Sequence, residues 1–224
     1  MLKDKVEFLF SFVKGKVVEE VISPLNGKLS VYLVNGNYIL QAEHTNYSYG
    51  ELHKAFRKIF RKIDITSEPV KECLLLGFGA GSVVSILLEE LDMPCKIKAV
   101  EFDPAVLSLG KKYFNTGRFK SLNIVAKEAG DFVKNDQHQY DLIVFDIYID
   151  DKIPAYFEQG EFLNHCKRLL NAGGILLYNK DLNAQEMQLN VSKLEQEFRN
   201  CFNDFERIKV VKNNCFYIYR KPLT

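Results

Sequence analysis

Residues 73–89 read CLLLGFGAGSVVSILLE, and they decide the fold. The apolar run Cys73–Leu76 leads straight into Gly77, Gly79 and Gly81, and helix-forming Val83–Leu88 follows with Ser82 available as a cap. This is a buried strand, a tight glycine turn and a helix N-terminus, which lets backbone approach a nucleoside-containing ligand closely. Glycine also serves ordinary strand-to-helix packing, so the turn alone is a weak signal. Its sequel strengthens it. A second strand, Ile97–Val100, ends at Glu101, and Asp103 follows, about twenty residues past the turn, where a ribose-binding carboxylate belongs. A dinucleotide fingerprint would need glycine at position 82; Ser82 stands there, giving GxGxG and weakening a nicotinamide or flavin reading.

Around this core the chain alternates. Strands are expected at 73–76, 97–101, 122–125, 141–146 and 174–179, with helices at 82–90, 104–113, 129–134, 160–170 and 184–200, and a closing hairpin of strands near 205–211 and 215–220. Regular alternation predicts an α/β fold, a doubly wound, mostly parallel seven-stranded sheet covered on both faces. The final hairpin requires a late antiparallel strand.

The first fifty residues differ. Val6–Val13, Lys16–Ile22, Leu29–Val34 and Tyr38–Gln41 are rich in β-branched and aromatic residues, and Asn35–Gly36 is a strong hairpin signal. They predict a small antiparallel sheet, residues 1–48, whose apolar face the main domain or a second subunit must cover. Residues 49–224 form the main domain, with 49–69 as its linking segment, a helix over Tyr49–Ile63 followed by a boundary at Pro69.

Composition excludes several classes. Thirty basic and twenty-nine acidic residues leave a formal charge of +1, which does not point to nucleic acid. The most basic stretch, Lys54–Lys62, interleaves Ala55, Phe56, Ile59 and Phe60 at helical spacing and reads as a core-facing helix with a solvated basic face. Charges at Lys3, Asp4, Lys5 and Glu7 interrupt any leader, and no apolar run reaches the ~20 residues of a membrane span. Five cysteines without CxxC spacing read as reduced thiols in a cytoplasmic protein, and four scattered histidines offer no metal spacing.

In an open α/β sheet the ligand lies beyond the carboxyl ends of the strands. The residues there are the three glycines, then Glu101, Phe102 and Asp103, then Glu128 and Ala129 with Asp131 a turn later, then Asp146 with Tyr148, Asp150 and Asp151. Asp103 precedes Pro104 and also suits a helix N-cap, Asp131 suits a helix N-terminus, and Asp150–Asp151 read as solvated loop charges.

Together LLLGFGAGS, AVEFDP, Glu128–Ala129 before Phe132–Val133, and YDLIVFDIY resemble class I S-adenosylmethionine-dependent transferases, and within them the spermidine synthase family and its methyltransferase-like relatives. Leu33–Gly36, Gln41, EHTNYSYGEL (Glu43–Leu52) and the stretch Pro154–Asn179 are similar to the same family, so the likeness spans nearly the whole chain. The resemblance implies S-adenosylmethionine or its decarboxylated form as cofactor. Gly77, Gly79 and Gly81 would pass beneath its aminoacyl or aminopropyl end, Glu101 would hold the ribose hydroxyls, Phe102 would lie against adenine, and Glu128–Ala129 would meet the adenine edge. It also implies that Asp146 and Tyr49 are catalytic and that the chain is a homodimer joined through its N-terminal region.

The departures concern the acceptor. Where the resembling aminopropyltransferases carry Asp in the glycine turn this chain has Ala80. Thr45–Asn46 replace an acidic pair, Gly50 a histidine and Ile149 a second loop aspartate. A dication needs carboxylates at both ends, so the sequence favours methyl transfer to an unidentified small molecule, with Ala80 favouring the intact cofactor. Aminopropyl transfer to a polyamine and a non-catalytic dimeric binding protein are the alternatives.

Overall fold

The computed structural model describes residues 15–43, 46–181, 186–211 and 214–223. The strand expected at Val6–Val13 and the tip of the last hairpin (212–213) lie outside them.

A four-stranded antiparallel sheet, ordered β1 (Lys16–Ser23), β2 (Gly27–Val34), β3 (Asn37–Gln41) and β4 (Asn46–Ser48), opens the chain. The expected Asn35–Gly36 turn joins β2 to β3 with both residues at positive φ. Strand β4 is an addition to the sequence expectation, which assigns no element between Gln41 and Tyr49. Helix α1 (Gly50–Lys62) follows, burying Ala55, Phe56, Ile59 and Phe60 and turning Arg57, Lys58, Arg61 and Lys62 outward, the solvated basic face its spacing predicts.

Next come β5 (Glu72–Leu76), a short helix α2 (Ser82–Ser85) that runs on as a π-turn (Ile86–Glu90), β6 (Lys96–Glu101), α3 (Pro104–Tyr113), β7 (Leu122–Ala126), α4 (Ala129–Asn135) and β8 (Tyr140–Phe145). The chain ends with α5 (Gly160–Leu169), β9 (Leu170–Asp181), α6 (Glu186–Cys201), β10 (Glu206–Lys209) and β11 (Asn214–Arg220). The seven strands lie in the order β10-β11-β9-β8-β5-β6-β7. Pairs β5–β6, β6–β7, β5–β8 and β8–β9 are parallel, while β11 is antiparallel to both β9 and β10. The doubly wound α/β sheet and its late antiparallel strand are therefore as expected.

Strand parity divides the core. Leu74, Leu76, Ile143, Phe145 and Tyr178 face α4, α5 and α6, with Phe162 and Phe198 packed against them. Cys73, Leu75, Leu142, Val144 and Leu177 face α1 and α2 on the other side. A third cluster, including Leu29, Val31 and Leu40 from the small sheet and Val106 and Leu109 from α3, fastens the two sheets together. Among the described residues no helix is long and apolar enough to cross a membrane.

Candidate active site

The strand order reverses at β5, which lies between β6 and β8, and a cavity of about 380 Å³ opens at the carboxyl ends of these strands. Of the residues singled out from sequence, Gly77, Glu101, Phe102, Asp103, Glu128, Ala129 and Tyr148 line it.

Glu101 is the best-held carboxylate. It ends β6, is buried, and accepts backbone N–H bonds from Gly79 at 3.0 Å, Phe102 at 2.9 Å and Asp103 at 3.0 Å. Burial outweighs these bonds and pushes its pKa up to about 7. Phe102, next in sequence, is 53% exposed and presents its ring at the cavity wall. Glu128 caps α4, its carboxylate accepting from Asp131 N–H at 2.7 Å, so part of its bonding capacity is spent within the turn. Asp103 caps α3 through Ala105 N–H at 2.8 Å, as Pro104 suggested, and also accepts from Asn26 at 2.6 Å and from the Ser23 hydroxyl.

Gly79, Gly81 and Asp146 are close by without lining the cavity. Gly79 and Gly81 have φ of 56° and 97°, and their positive dihedrals form the turn that presents the Gly79 N–H to Glu101. Gly81, not Ser82, is the N-cap of α2. The Ser82 hydroxyl instead accepts from Tyr49 N–H and lies 3.1 Å from the Ser48 hydroxyl, tying β4 to the helix. Asp146 follows β8, and its carboxylate accepts from the Asn179 side chain at 2.8 Å.

Tyr49 is not among the residues that line the cavity. Strand β4 stops at Ser48, and Tyr49 takes a left-handed backbone (φ 64°) that swings its ring out of the strand's alternation. The ring stacks on Phe114 (centroids 5.1 Å apart) and on His53 (5.2 Å), away from the cavity. Tyr47, two residues earlier, lines it instead and donates to the Tyr148 carbonyl at 3.3 Å. Burial first, then the charges of Glu101, Asp103 and Asp146, hold the Tyr47 phenol well above the usual tyrosine range, so it stays a neutral donor.

Ala80, in the same glycine turn, also stays out of the cavity lining. It is fully buried among Leu29, Val31, Leu40, Val106 and Leu109, and its N–H donates to the Ser48 hydroxyl at 3.2 Å.

Sequence reasoning missed Leu25 and Asn26, on the turn between β1 and β2, which lie over the cavity. Asn26 donates to Asp103 and accepts from Asp150 N–H at 3.3 Å, linking the small sheet to two loops of the site. Tyr156 and Phe157, on a 3-10 turn (Ala155–Glu158), complete the far wall. Among the described residues no group of three His, Cys, Asp or Glu is placed to hold a metal ion.

The donor set suits a cationic nucleoside cofactor: a carboxylate aimed at a diol, an aromatic face, a helix-start edge, and acids Glu101, Asp103 and Glu128 against one cation, Lys127, among the described lining residues.

Comparison with known proteins agrees. A polyamine aminopropyltransferase from Vibrio vulnificus is 28% identical over 144 residues, covering 61% of this chain and 45% of that protein, so the chain spans about half of that relative's length. The spermidine synthase of Thermotoga maritima superposes with a TM-score of 0.72 at 14% identity, covering 93% of this chain and 74% of that one. Human methyltransferase-like protein 13, solved in complex with SAH, superposes with a TM-score of 0.62 at 20% identity, covering 78% and 83%. These last two show the shared fold. The spermine/spermidine synthase domain matches residues 62–212, from the end of α1 to the final hairpin, and the chain belongs to that family.

Proposed function

We propose that this chain transfers an aminopropyl group from decarboxylated S-adenosylmethionine to an amine of a small polyamine. The observation that carries the reading is the charge of the site: Glu101, Asp103 and Glu128 line the cavity, Asp146 adjoins it, and Lys127 is the one lining cation among the described residues. Such a field favours a cofactor that carries a sulfonium and an ammonium but no carboxylate, and an acceptor that is itself cationic. The relative from Vibrio vulnificus, named a polyamine aminopropyltransferase, supports the same choice.

Each residue then has a task. Glu101 accepts from the ribose hydroxyls, Phe102 covers adenine, and Glu128 and Ala129 meet its edge. When bound, the cofactor supplies an electrophilic carbon on sulfur; the acceptor nitrogen forms the new bond there as the carbon–sulfur bond breaks and the thioether leaves. Asp146 holds the acceptor amine and takes up the proton that the nitrogen must lose. Tyr47, a neutral phenol, donates a hydrogen bond at this end of the site; this role passes to it from Tyr49.

Incubation with decarboxylated S-adenosylmethionine and putrescine or spermidine, read by mass spectrometry, tests the reading. A product heavier by one aminopropyl group is expected, and its absence while S-adenosylmethionine yields a methylated product overturns the proposal. Methyl transfer is the second reading, and the observation favouring it is Ile149, which lines the cavity where the resembling aminopropyltransferases carry a second loop aspartate. Binding of either cofactor without any product would leave the non-catalytic alternative. The chain is further proposed to be a cytoplasmic homodimer joined through residues 1–48, consistent with five buried, free cysteines. Light scattering showing a monomer at micromolar concentration would sink the dimer.

A further inference from the structure

Next to the cavity, at the end of β8, the side chains of Asp146 and Asn214 meet on one fully buried amide, Asn179. Strands β8 and β9 are parallel with Phe145 opposite Tyr178, so the next residue on each, Asp146 and Asn179, are side by side. The Asn179 Nδ2 donates to Asp146 Oδ1 at 2.8 Å, and its Oδ1 accepts from Asn214 Nδ2 at 3.2 Å. A carboxylate only accepts and the Asn214 amide donates from behind, so only one orientation of the Asn179 amide satisfies both neighbours. The backbone carbonyl of Asn179 separately accepts from the Tyr148 hydroxyl at 3.3 Å, and the Tyr148 backbone carbonyl accepts from Tyr47. The Asp146 carboxylate is thus held by the side chain of a residue that does not itself line the cavity.

We propose that Asn179 is a positioning residue whose side-chain amide sets the plane of the Asp146 carboxylate, with Asn214 as its rear brace. The catalytic meaning of this rests on the reading of Asp146 given above. An apolar side chain of similar volume would pack as well between the strands but would leave the carboxylate free to rotate. Packing alone therefore does not call for an amide here, whereas holding an ionised acid in one orientation does.

The test uses the full chain and begins without cofactor. Titration of the Asp146 carboxyl carbon by ¹³C NMR is compared among wild type, Asn179→Leu, Asn179→Asp and Asn214→Ala. Loss of an amide hydrogen bond to the charged form should raise the Asp146 pKa by roughly one unit in Asn179→Leu, and a second carboxylate beside it should raise it further in Asn179→Asp. Asn214→Ala, at a half-buried position, should shift it the same way by less, and it serves if the Asn179 variants do not fold. Turnover should fall about 10-fold or more in Asn179→Leu, while cofactor affinity stays within about threefold. An Asp146 titration unchanged in every folded variant overturns the proposal, as does a loss confined to cofactor affinity. A wild type that makes no aminopropylated amine would sink the functional reading while leaving the titration result standing.

Discussion

Gly77 and Asp146 approach so closely that no side chain fits between them: a Cβ built on Gly77 would lie 2.7 Å from the Asp146 carbonyl carbon. The neighbour is backbone at the carboxyl end of the central strand β8 and cannot swing aside. Gly77 also has φ of 89°, which L-residues rarely adopt. Gly79, with nothing nearer than 3.2 Å, is the looser position. The glycines of this turn therefore serve the meeting of β5 and β8 as much as the ligand.

It follows that Gly77→Ala should destabilise the protein by more than about 2 kcal/mol, from strain and displaced backbone together. Denaturant unfolding measures this. A variant as stable as wild type would mean that the Asp146 backbone is free to move away.

Glu101 makes apo stability depend on pH. Its native pKa of about 7 exceeds that of the unfolded chain, 4.5. Between those values the native state holds a proton that the unfolded chain has released. Stability from this group is thus full below about pH 4.5 and is lost as pH rises toward 7, by up to about 3 kcal/mol. Ribose hydroxyls donate best to the ionised form, so cofactor binding at pH 6 should release protons, which calorimetry in buffers of different ionisation enthalpy detects. Glu101→Gln should flatten the stability profile and bind cofactor weakly. A wild-type profile with the same slope as Glu101→Gln would remove the argument.

Tyr47 and Tyr49 separate by mutation. Tyr47→Phe removes the hydroxyl from the cavity end and should lower turnover about 10- to 100-fold, with circular dichroism unchanged. Tyr49→Phe alters a ring stacked between Phe114 and His53 and should leave turnover near wild type. The reverse ranking would restore Tyr49 to the site.

The sheet was legible because its strands are short apolar runs separated by glycine, Asn–Gly or Asp–Pro signals, and parity alone sorts Leu74 and Leu76 from Cys73 and Leu75. Glu101 was legible for a similar reason, since a charge ending a buried strand must face a cleft. What eluded the sequence depends on backbone dihedrals and on contacts far apart in the chain. One positive φ at Tyr49 exchanges which tyrosine of NYSYG reaches the cavity. Asn26 meets Asp103 across 77 residues, and no local pattern announces it. Ser82 looks like a cap by position but is used by β4, because Gly81 already turns the chain into the helix.

Ala80 tests how far the family's pattern transfers. By position in the glycine turn it stands where the resembling aminopropyltransferases carry an aspartate, and from sequence it should tune the preference between the intact and the decarboxylated cofactor. In the structure its methyl group is fully buried in the cluster that joins the small sheet to α3, with Leu29, Val31 and Leu40 on one side and Val106 and Leu109 on the other. The cluster around it is apolar, so a carboxylate introduced there would be desolvated. Ala80→Asp should therefore cost about 3 kcal/mol or more of stability, or raise the new carboxyl's pKa until it is neutral, before any effect on ligand choice. Thermal unfolding together with calorimetry of both cofactors decides the matter. A stable Ala80→Asp protein whose preference moves toward the decarboxylated form would show that the turn can reopen toward the cavity, and that Ala80 is a cofactor-selecting position after all.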